Sequence, residues 1–569
     1  MPTFAVDDGF AYTVPEEIPN VVVGSHVTVP LGGRKVKGWV TSVRSGESKR
    51  KLKSVVGVSG DLPHFDEALL ETLRWVALRY VAPMSTVLAR SGPPNISRLK
   101  GPVVPVAATE TRQRAATCIV TGEPYGPTLS KIVTSVVDSG ANVLVVCPTA
   151  DEVTQYAGIL EDALGQTVLR VGSAIPARTV TDAWTVAATT QGNIIVGTRE
   201  AVLWPLGNLG GVIVVEEGRR GMTSPQTPTW TVRDVVVQRS NVEHLQTWFI
   251  GPVPSVQLLA TTPVVVGADK RAWPLVEVVN RYDEPPGTGP VLAATVMAIR
   301  TTLKRGGSVF VFVNRRAYAP VFRCLTCKEL RRCPACGAGA ERGDRCPRCD
   351  MELGGCAACG ARRFEPVGAG IGRTIEILHR SLGDAVGAAG SNRAVVVGTE
   401  RDIPPPASVD LVVIIDADGM LLAPHYRAEE EAIRILGRAA ASVARGTGNR
   451  TLIQTNQPKD RVIVALRSGR PVPLLSDIHN EREAAGFPPF GEVIIIKTSA
   501  TSPDVEKQLQ VLGEKSGATV LGPVPVADGH RWLVQGRDLH KFRLGLRSVV
   551  GVWRESGVKV RVDVDPIDL

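Results

Sequence analysis

No stretch of the 569-residue sequence approaches the ~18 consecutive apolar residues of a membrane-spanning helix, so no membrane association is expected. The first ten residues carry Asp7 and Asp8 and lack a basic-then-apolar signal pattern. The expected location is therefore the cytoplasm. Gly and Pro together make 98 residues, about 17% and short of the ~25–30% that marks low-complexity chains. Charge of one sign is scarce: 65 basic residues face 56 acidic ones, a net +9. That excess is compatible with a polyanionic partner without requiring one. Outside one short segment cysteine is nearly missing as well. Only Cys118 and Cys147 of the ten stand apart, each on an apolar run, and both read as core residues.

What is present is an ordinary globular composition, 44% apolar and 21% charged, long enough for roughly four domains. Residues 1 to 100 read as a small β-rich module followed by a helix. Val21-Val22-Val23, Val27-Thr28-Val29 and Trp39-Val40-Thr41-Ser42-Val43 are strand-like runs parted by Gly24 and Gly32-Gly33. Leu69, Leu73, Val76, Ala77 and Tyr80 then recur at helical spacing over 66–80. From about 108 the pattern changes to wholly apolar, β-branched runs at 143–147, 194–196, 212–215, 309–313, 395–397 and 411–415, alternating with helical segments. Such runs indicate parallel sheets covered on both faces. Ile194-Ile195-Val196-Gly197-Thr198 is echoed by Val395-Val396-Val397-Gly398-Thr399, which favours two similar α/β lobes over one large sheet. The expected organisation is lobe 1 over 108–272, lobe 2 over 273–470 and an α+β module over 471–569.

Eight cysteines interrupt the second lobe as four Cys-x-x-Cys knuckles: Cys324/Cys327, Cys333/Cys336, Cys346/Cys349 and Cys356/Cys359. Each knuckle turns two thiolates toward one point, and zinc takes four tetrahedrally. Four knuckles thus make two structural Zn(2+) sites within an insertion over 322–364. The gaps between knuckles are five, nine and six residues. Nine residues fold back more easily than five or six, which favours nesting. Cys333, Cys336, Cys346 and Cys349 would share one ion, and Cys324, Cys327, Cys356 and Cys359 the other. With every position a cysteine, no coordination site stays open for substrate. Arg323, Arg331, Arg332, Arg345 and Arg348 interleave with the ligands and suit either a phosphate backbone or plain solvation.

In an α/β lobe the first strand-to-helix turn receives the phosphates of a nucleotide. Here that turn reads Thr121-Gly122-Glu123-Pro124-Tyr125-Gly126-Pro127-Thr128. A working loop has the form G-x-x-x-x-G-K-[ST], with glycines to wrap the phosphates, a lysine for charge and a hydroxyl for Mg²⁺. Thr121 stands at the first glycine and Pro127 at the lysine. Pro124 and Pro127 have no N–H to donate, and Glu123 adds negative charge. The acidic strand end is Glu216-Glu217-Gly218-Arg219. Losing cradle, lysine and metal carboxylates together argues against ATP as a cofactor.

Several motifs then resemble one family. Asn314-Arg315-Arg316-Ala317-Tyr318-Ala319-Pro320 leads into the cysteine cluster, with Pro366-Val367-Gly368 after it. Asp416-Ala417-Asp418-Gly419-Met420-Leu421, Glu481-Arg482, Phe487-Pro488-Pro489-Phe490, Leu521-Gly522-Pro523-Val524-Pro525 and Asp563-Val564-Asp565-Pro566 follow. Over nearly the whole length the chain resembles the primosomal replication-restart proteins (primosomal protein N′), relatives of superfamily 2 helicases. The resemblance implies a 3′-end DNA-binding domain, two RecA-like lobes, the zinc insertion and a C-terminal domain. It implies binding of abandoned replication forks or single-stranded DNA and cooperation with primosome proteins and the replicative-helicase loading machinery. It places a pocket for a terminal 3′ nucleotide at Phe10, Ala11, Gly32 and Lys53. It also supports nested zinc pairing.

Departures from the family pattern cluster on ATP handling. The loop at 121–128, the acids at 216–219, Gly251-Pro252-Val253-Pro254 and the segment from Arg438 to Arg445 have all drifted. Ala11 replaces an acidic residue. The family's winged-helix domain does not fit between 95 and 110. The expectation is a fork-binding restart protein without ATPase or helicase activity of its own. Two alternatives are an active 3′-to-5′ helicase with a divergent nucleotide site, and a zinc-stabilised interaction scaffold without DNA binding. Lys49-Arg50-Lys51 with Lys53 fits a DNA contact or a solvated loop.

Overall fold

The computed structural model describes residues 4–7, 9–18, 20–46, 51–95, 99, 113–266, 271–285, 288–314, 322–335, 337, 345–346, 351–366, 370–423, 425–499, 503–526 and 529–566. Lys49, Arg50, 315–320, Cys336, Arg348, Cys349, Val367 and Gly368 lie outside them. The chain divides into two compact units, Met1–Thr117 with Gly126–Ile250 and Arg482–Pro566, and Cys118–Tyr125 with Gly251–Glu481. No helix among the described residues is long and apolar enough to cross a membrane.

The first unit opens with a three-stranded antiparallel sheet, His26–Leu31 lying between Arg34–Trp39 and Gly57–Ser59. Its hairpin turns on Gly32 and Gly33, both at positive φ, the geometry that matches strand twist in a two-residue turn. Val27, Val29 and Val55 form its core. Two strand expectations fail here. Val21-Val22-Val23 is irregular, because Asn20 and Gly24 both sit at positive φ and bend the run. A Cβ on Gly24 would also lie 2.0 Å from the Phe65 carbonyl. The run from Trp39 stops at Trp39, which pairs with His26, the first residue of its partner strand. The helix Glu67–Arg79 forms where its spacing places it, capped by Asp66, whose carboxylate accepts from the Leu69 amide at 2.7 Å.

The α/β part of this unit carries the parallel strands Gln246–Gly251, Leu209–Val215, Asn142–Val146, Ile194–Gly197 and Val168–Val171, in that spatial order. Asn142–Val146, Ile194–Gly197 and Leu209–Val215 are buried at every position, as unbroken β-branched runs require. The C-terminal part is a four-stranded antiparallel sheet, ordered Thr519–Val526, Gly529–Gly536, Glu492–Thr498, Val560–Val564, with helices Pro503–Ser516 and His540–Glu555.

The helix Glu67–Arg79 ties these parts together. Arg79, its last residue, is ion-paired to Glu492 and, at 2.5 Å, to Asp565. Arg543 holds Glu492 from the other side. The next residue, Tyr80, donates its hydroxyl to Asp234 at 2.9 Å, and Asp234 also pairs with Arg233 at 2.8 Å. Near the N-terminus Asp7 accepts from the Met84 amide and pairs with Arg547. One ion network therefore spans all three segments of the unit.

In the second unit six parallel strands are ordered Val276–Asn280, Arg450–Thr455, Leu411–Ile414, Val309–Phe312, Val395–Gly398, Val386–Ala388. Ile299, Val311, Leu378, Val397, Val413 and Leu452 pack in its core. The echoed motifs occupy equivalent places in the two sheets: Ile194–Gly197 and Val395–Gly398 each run into a short 3-10 turn, Arg199–Leu203 and Glu400–Asp402. The cysteine insertion leaves after Val309–Phe312 and is closed at its base by an antiparallel pair, Phe322–Cys324 with Phe364–Pro366.

Burial raises the Asp234 carboxyl, but Arg233 and Arg79 more than offset this and hold it at about 2. A depressed carboxylate contributes stability that is present above its ordinary range and lost as pH falls through about 2. Asp234→Asn should therefore flatten the acid limb of a pH–stability curve below pH ~4. Arg79→Ala strands partly buried carboxylates and should lower stability by about 3 kcal/mol in denaturant titrations. A loss under ~0.5 kcal/mol would show that the network is not what joins the segments.

Candidate nucleic-acid interface and metal centre

At the N-terminus a short parallel pairing sets Tyr12 against Lys53 and Thr13 against Ser54, with the two hydroxyls of the second pair 2.9 Å apart. Tyr12 also donates to the carbonyl of Pro30 at 3.3 Å, beside the Gly32-Gly33 turn. Of the expected residues, Lys53 lies in this pairing, while Phe10 and Ala11 immediately precede the strand Tyr12–Thr13 and Gly32 lies in the hairpin turn. Phe10 is 57% exposed, so it is not a core aromatic of the β module. Among the described residues nothing lies within 4 Å of where a Cβ on Gly32 or Gly33 would stand. Sequence reasoning missed Arg34, Lys35 and Lys37, which leave this turn exposed on the next strand. The basic run Arg34-Lys35-Val36-Lys37 was the available signal.

The Sγ atoms of Cys324, Cys327, Cys356 and Cys359 all lie within 4.8 Å of one another. Cys324 and Cys359 are 3.6 Å apart, Cys327 and Cys356 3.5 Å. A tetrahedron of sulfurs about 2.3 Å from zinc has edges of roughly 3.8 Å, so the outer knuckles fit a metal ion of that geometry. The thiols influence one another in opposite directions: the amides of Cys327 and Thr326 and the neighbouring thiols draw Cys324 down against its burial, and those thiols push Cys327 up.

The backbone repeats one turn around each knuckle. Amides at Lys328, Gly337 and Gly360 donate to the carbonyls of Cys324, Cys333 and Cys356, and amides of Cys324, Cys346 and Cys356 donate to Glu329, Met351 and Ala361. Cys333 and Cys346 are buried together with Leu353. Their partners Cys336 and Cys349 lie outside the described residues.

The interleaved arginines divide. Arg323 is buried, paired with Glu365 at 2.6 Å and donating to the Arg281 carbonyl. Arg331 is buried over the Phe364 ring at 4.7 Å. These two hold the insertion together and cannot reach a phosphate backbone, a correction to the uniform reading of the set. Arg332 and Arg345 are at the surface, Arg332 bonded to Gln457.

The strand–turn–helix expected at the phosphate loop is present: Ala115–Val120, the turn, and Gly126–Val137, with Pro127 in the first helical turn where its missing N–H costs nothing. Thr121 accepts the Glu123 amide at 3.1 Å, so its hydroxyl serves the turn itself. In the first unit Glu216 and Glu217 are both buried. Arg219 pairs with Glu216 at 3.3 Å and Glu152 at 2.5 Å, and Arg233 reaches Glu217 at 3.5 Å. Both carboxylates are thereby charge-balanced by arginines. In the second unit Arg438 donates to the carbonyls of Glu400 and Ile403, a structural role. Cys118 and Cys147 are buried, and burial pushes the Cys147 thiol up.

Residues 1–93 match the model of a 3′DNA-binding domain (3′BD), and residues 483–567 match that of the primosomal protein N C-terminal domain. The chain is 24% identical over 653 residues to a probable replication restart protein PriA of Mycobacterium leprae, covering 99% of each. It is 26% identical over 640 residues to the corresponding Mycobacterium tuberculosis protein, covering 98% of this chain and 94% of that one. Against the replication restart protein PriA of Synechocystis sp. it is 24% identical over 497 residues, 76% of this chain and 59% of the relative. The chain thus spans little more than half the length of that relative. Among solved structures, RecG bound to a three-way DNA junction aligns at TM-score 0.38 and 11% identity over 65% of this chain and 44% of that one, a likeness too small to carry an argument.

Replacing Cys356 by Ser removes one of four converging thiols. Elemental analysis of the purified variant should show a loss of about one metal equivalent per chain. Unchanged metal content would mean that these four thiols are not a metal centre.

Proposed function

Taking as premise that this chain is a relative of the primosomal replication restart proteins, we propose that it binds the 3′ ends and single-stranded arms of abandoned replication forks and promotes reloading of the replicative helicase without turning over ATP. The observation that carries this reading is the match of residues 1–93 to a 3′DNA-binding domain. That segment carries an exposed aromatic, Phe10, two residues before Tyr12, which pairs with Lys53, and a glycine hairpin followed by the exposed Arg34, Lys35 and Lys37. An aromatic face stacks a base, and the cations hold the backbone.

The domain plan that accompanies this reading is a 3′-end module over 1–100, lobes over 108–272 and 273–470, the insertion over 322–364 and a C-terminal domain over 471–569. The insertion carries two zinc ions, one on Cys324, Cys327, Cys356 and Cys359, the other on Cys333, Cys336, Cys346 and Cys349. Its role is structural. The protein works in the cytoplasm with primosome partners. Absence of turnover is supported by Pro127 at the lysine position and by Glu216 and Glu217 being held by arginines.

On a fork substrate the affinity should fall linearly on a log–log plot as salt rises, because positioned cations release counterions. Phe10→Ala should weaken binding by about tenfold, the low end of a lost base stack, and Lys53→Ala should reduce the salt slope by about one. With Ala11 in place of an acidic residue, a 3′-hydroxyl end and a 3′-phosphate end should bind alike. No binding even at low salt would overturn the proposal in favour of a protein-interaction scaffold. DNA-stimulated ATP turnover that disappears in Thr128→Ala would overturn its second half.

A further inference from the structure

Within the second unit the parallel strands Val276–Asn280 and Arg450–Thr455 are neighbours, and an open cleft of about 370 Å³ lies at their carboxyl ends. Asn280, Tyr282, Asn456, Gln457, Lys459 and Asp460 line it. Open α/β sheets take their ligands at the carboxyl ends of strands. Tyr282 is 43% exposed, yet it is held at three points. Its amide donates to Asn280 Oδ1 at 3.1 Å, its hydroxyl donates to the Cys327 carbonyl at 3.3 Å, and its carbonyl accepts from the Lys328 ammonium at 2.9 Å. An exposed ring fixed in this way stacks a planar guest at little cost in side-chain entropy.

The floor of the cleft is fixed as well. Fully buried Asp418 accepts from the Asn456 amide at 2.9 Å and from its Nδ2 at 2.7 Å, and the Thr455 hydroxyl accepts from the Gln457 amide at 2.9 Å. Asn456 Oδ1 and Gln457 Nε2 have no hydrogen-bond partner among the described residues, which leaves one acceptor and one donor at this floor. Cations frame it. Lys459 is exposed on the lining, the Lys328 ammonium stands 5.7 Å from the centre of the Tyr282 ring, and exposed Arg332 bonds to Gln457. Two nearby acids are engaged by the protein's own donors: Asp283 accepts from Asn280 at 3.0 Å, and Asp460 accepts from the Val462 amide at 2.9 Å to cap the helix Arg461–Ser468.

We propose that this cleft is a second nucleic-acid contact, which takes single-stranded DNA at an internal nucleotide. A base stacks on Tyr282, its polar edge meets the amides of Asn456 and Gln457, and the flanking phosphates lie along Lys328, Arg332 and Lys459. A fixed aromatic beside cations holds a strand without strong sequence preference, because every base has a π-face. Amides offering both a donor and an acceptor suit any base edge. The contact demands no strand terminus, unlike the site proposed within residues 1–93. It rests on the functional reading only in taking DNA as the partner.

A closed circle of single-stranded DNA carries no 3′ end, so its affinity for the full chain, read by fluorescence anisotropy, tests the cleft apart from the N-terminal module. The circle should bind at low salt. Tyr282→Ala should weaken it about tenfold, the low end of a lost base stack. Tyr282→Phe, which keeps the ring, should recover all but about threefold of that loss. Lys459→Ala should lower the salt slope by about 0.7, the value for one phosphate on a single strand; this exposed position decides the matter if Tyr282→Ala disturbs the cysteine insertion. No binding of the circle, equal losses in the two Tyr282 variants, or an unchanged slope in Lys459→Ala would overturn the cleft. Forks that still bind through their 3′ ends in those cases would leave the functional reading standing. A circle bound through Tyr282 while forks with and without a 3′ end bind alike would overturn the 3′-end reading and leave the cleft standing.

Discussion

A single guanidinium at the end of one helix joins segments that lie more than four hundred residues apart. Arg79 grips Glu492 and Asp565, so the N-terminal module and the C-terminal sheet share one set of charges. Tyr80 extends the same set to Asp234 and Arg233, and Arg233 continues it to Glu217. Partly buried charges are costly unless every one is paired, so none of these segments can shift alone without leaving an unpaired charge. The helix Glu67–Arg79 earns its position from an ordinary amphipathic face, but its last residue and the Tyr80 that follows decide what it is attached to.

The same accounting applies to the acidic end of the strand Leu209–Val215. Glu216 and Glu217 follow this buried strand, and Arg219 and Arg233 balance their charge. Arg438 still lies on a buried helix, yet it donates to main-chain carbonyls. Each group keeps a partner, and only the identity of the partner differs from what nucleotide chemistry would need. The cysteine insertion is the reverse case. Its buried arginines, Arg323 and Arg331, serve the scaffold, while four soft thiols converge within 4.8 Å of one another.

Much of this was legible in the residues. The unbroken β-branched runs gave the parallel strands because a strand covered on both faces must be apolar at each position. The four knuckles were legible because a Cys-x-x-Cys spacing can close only around one point. The failed strands show the limit. Val21-Val22-Val23 has strong β propensity, but propensity describes a side chain and not the partner strand, and among the described residues no strand pairs with this run, which Asn20 and Gly24 bend. The arginines among the cysteines were indistinguishable in sequence, since charge does not reveal which guanidinium a folded ring or carboxylate will bury.

The scarcity of long apolar runs, the small net charge and the clustering of cysteine are properties of the sequence alone, and so are the fold class and the presence of Pro127, without an N–H, in the strand-to-helix turn. Those follow from local chemistry: periodicity, spacing and the absence of an N–H. Tertiary structure decided the rest, namely that Arg79 bridges both ends of the first unit, that Phe10 is exposed, and that Arg323 and Arg331 are buried against Glu365 and Phe364. Each depends on which distant segment arrives at close range, and a sequence fixes that only through the sum of its packing.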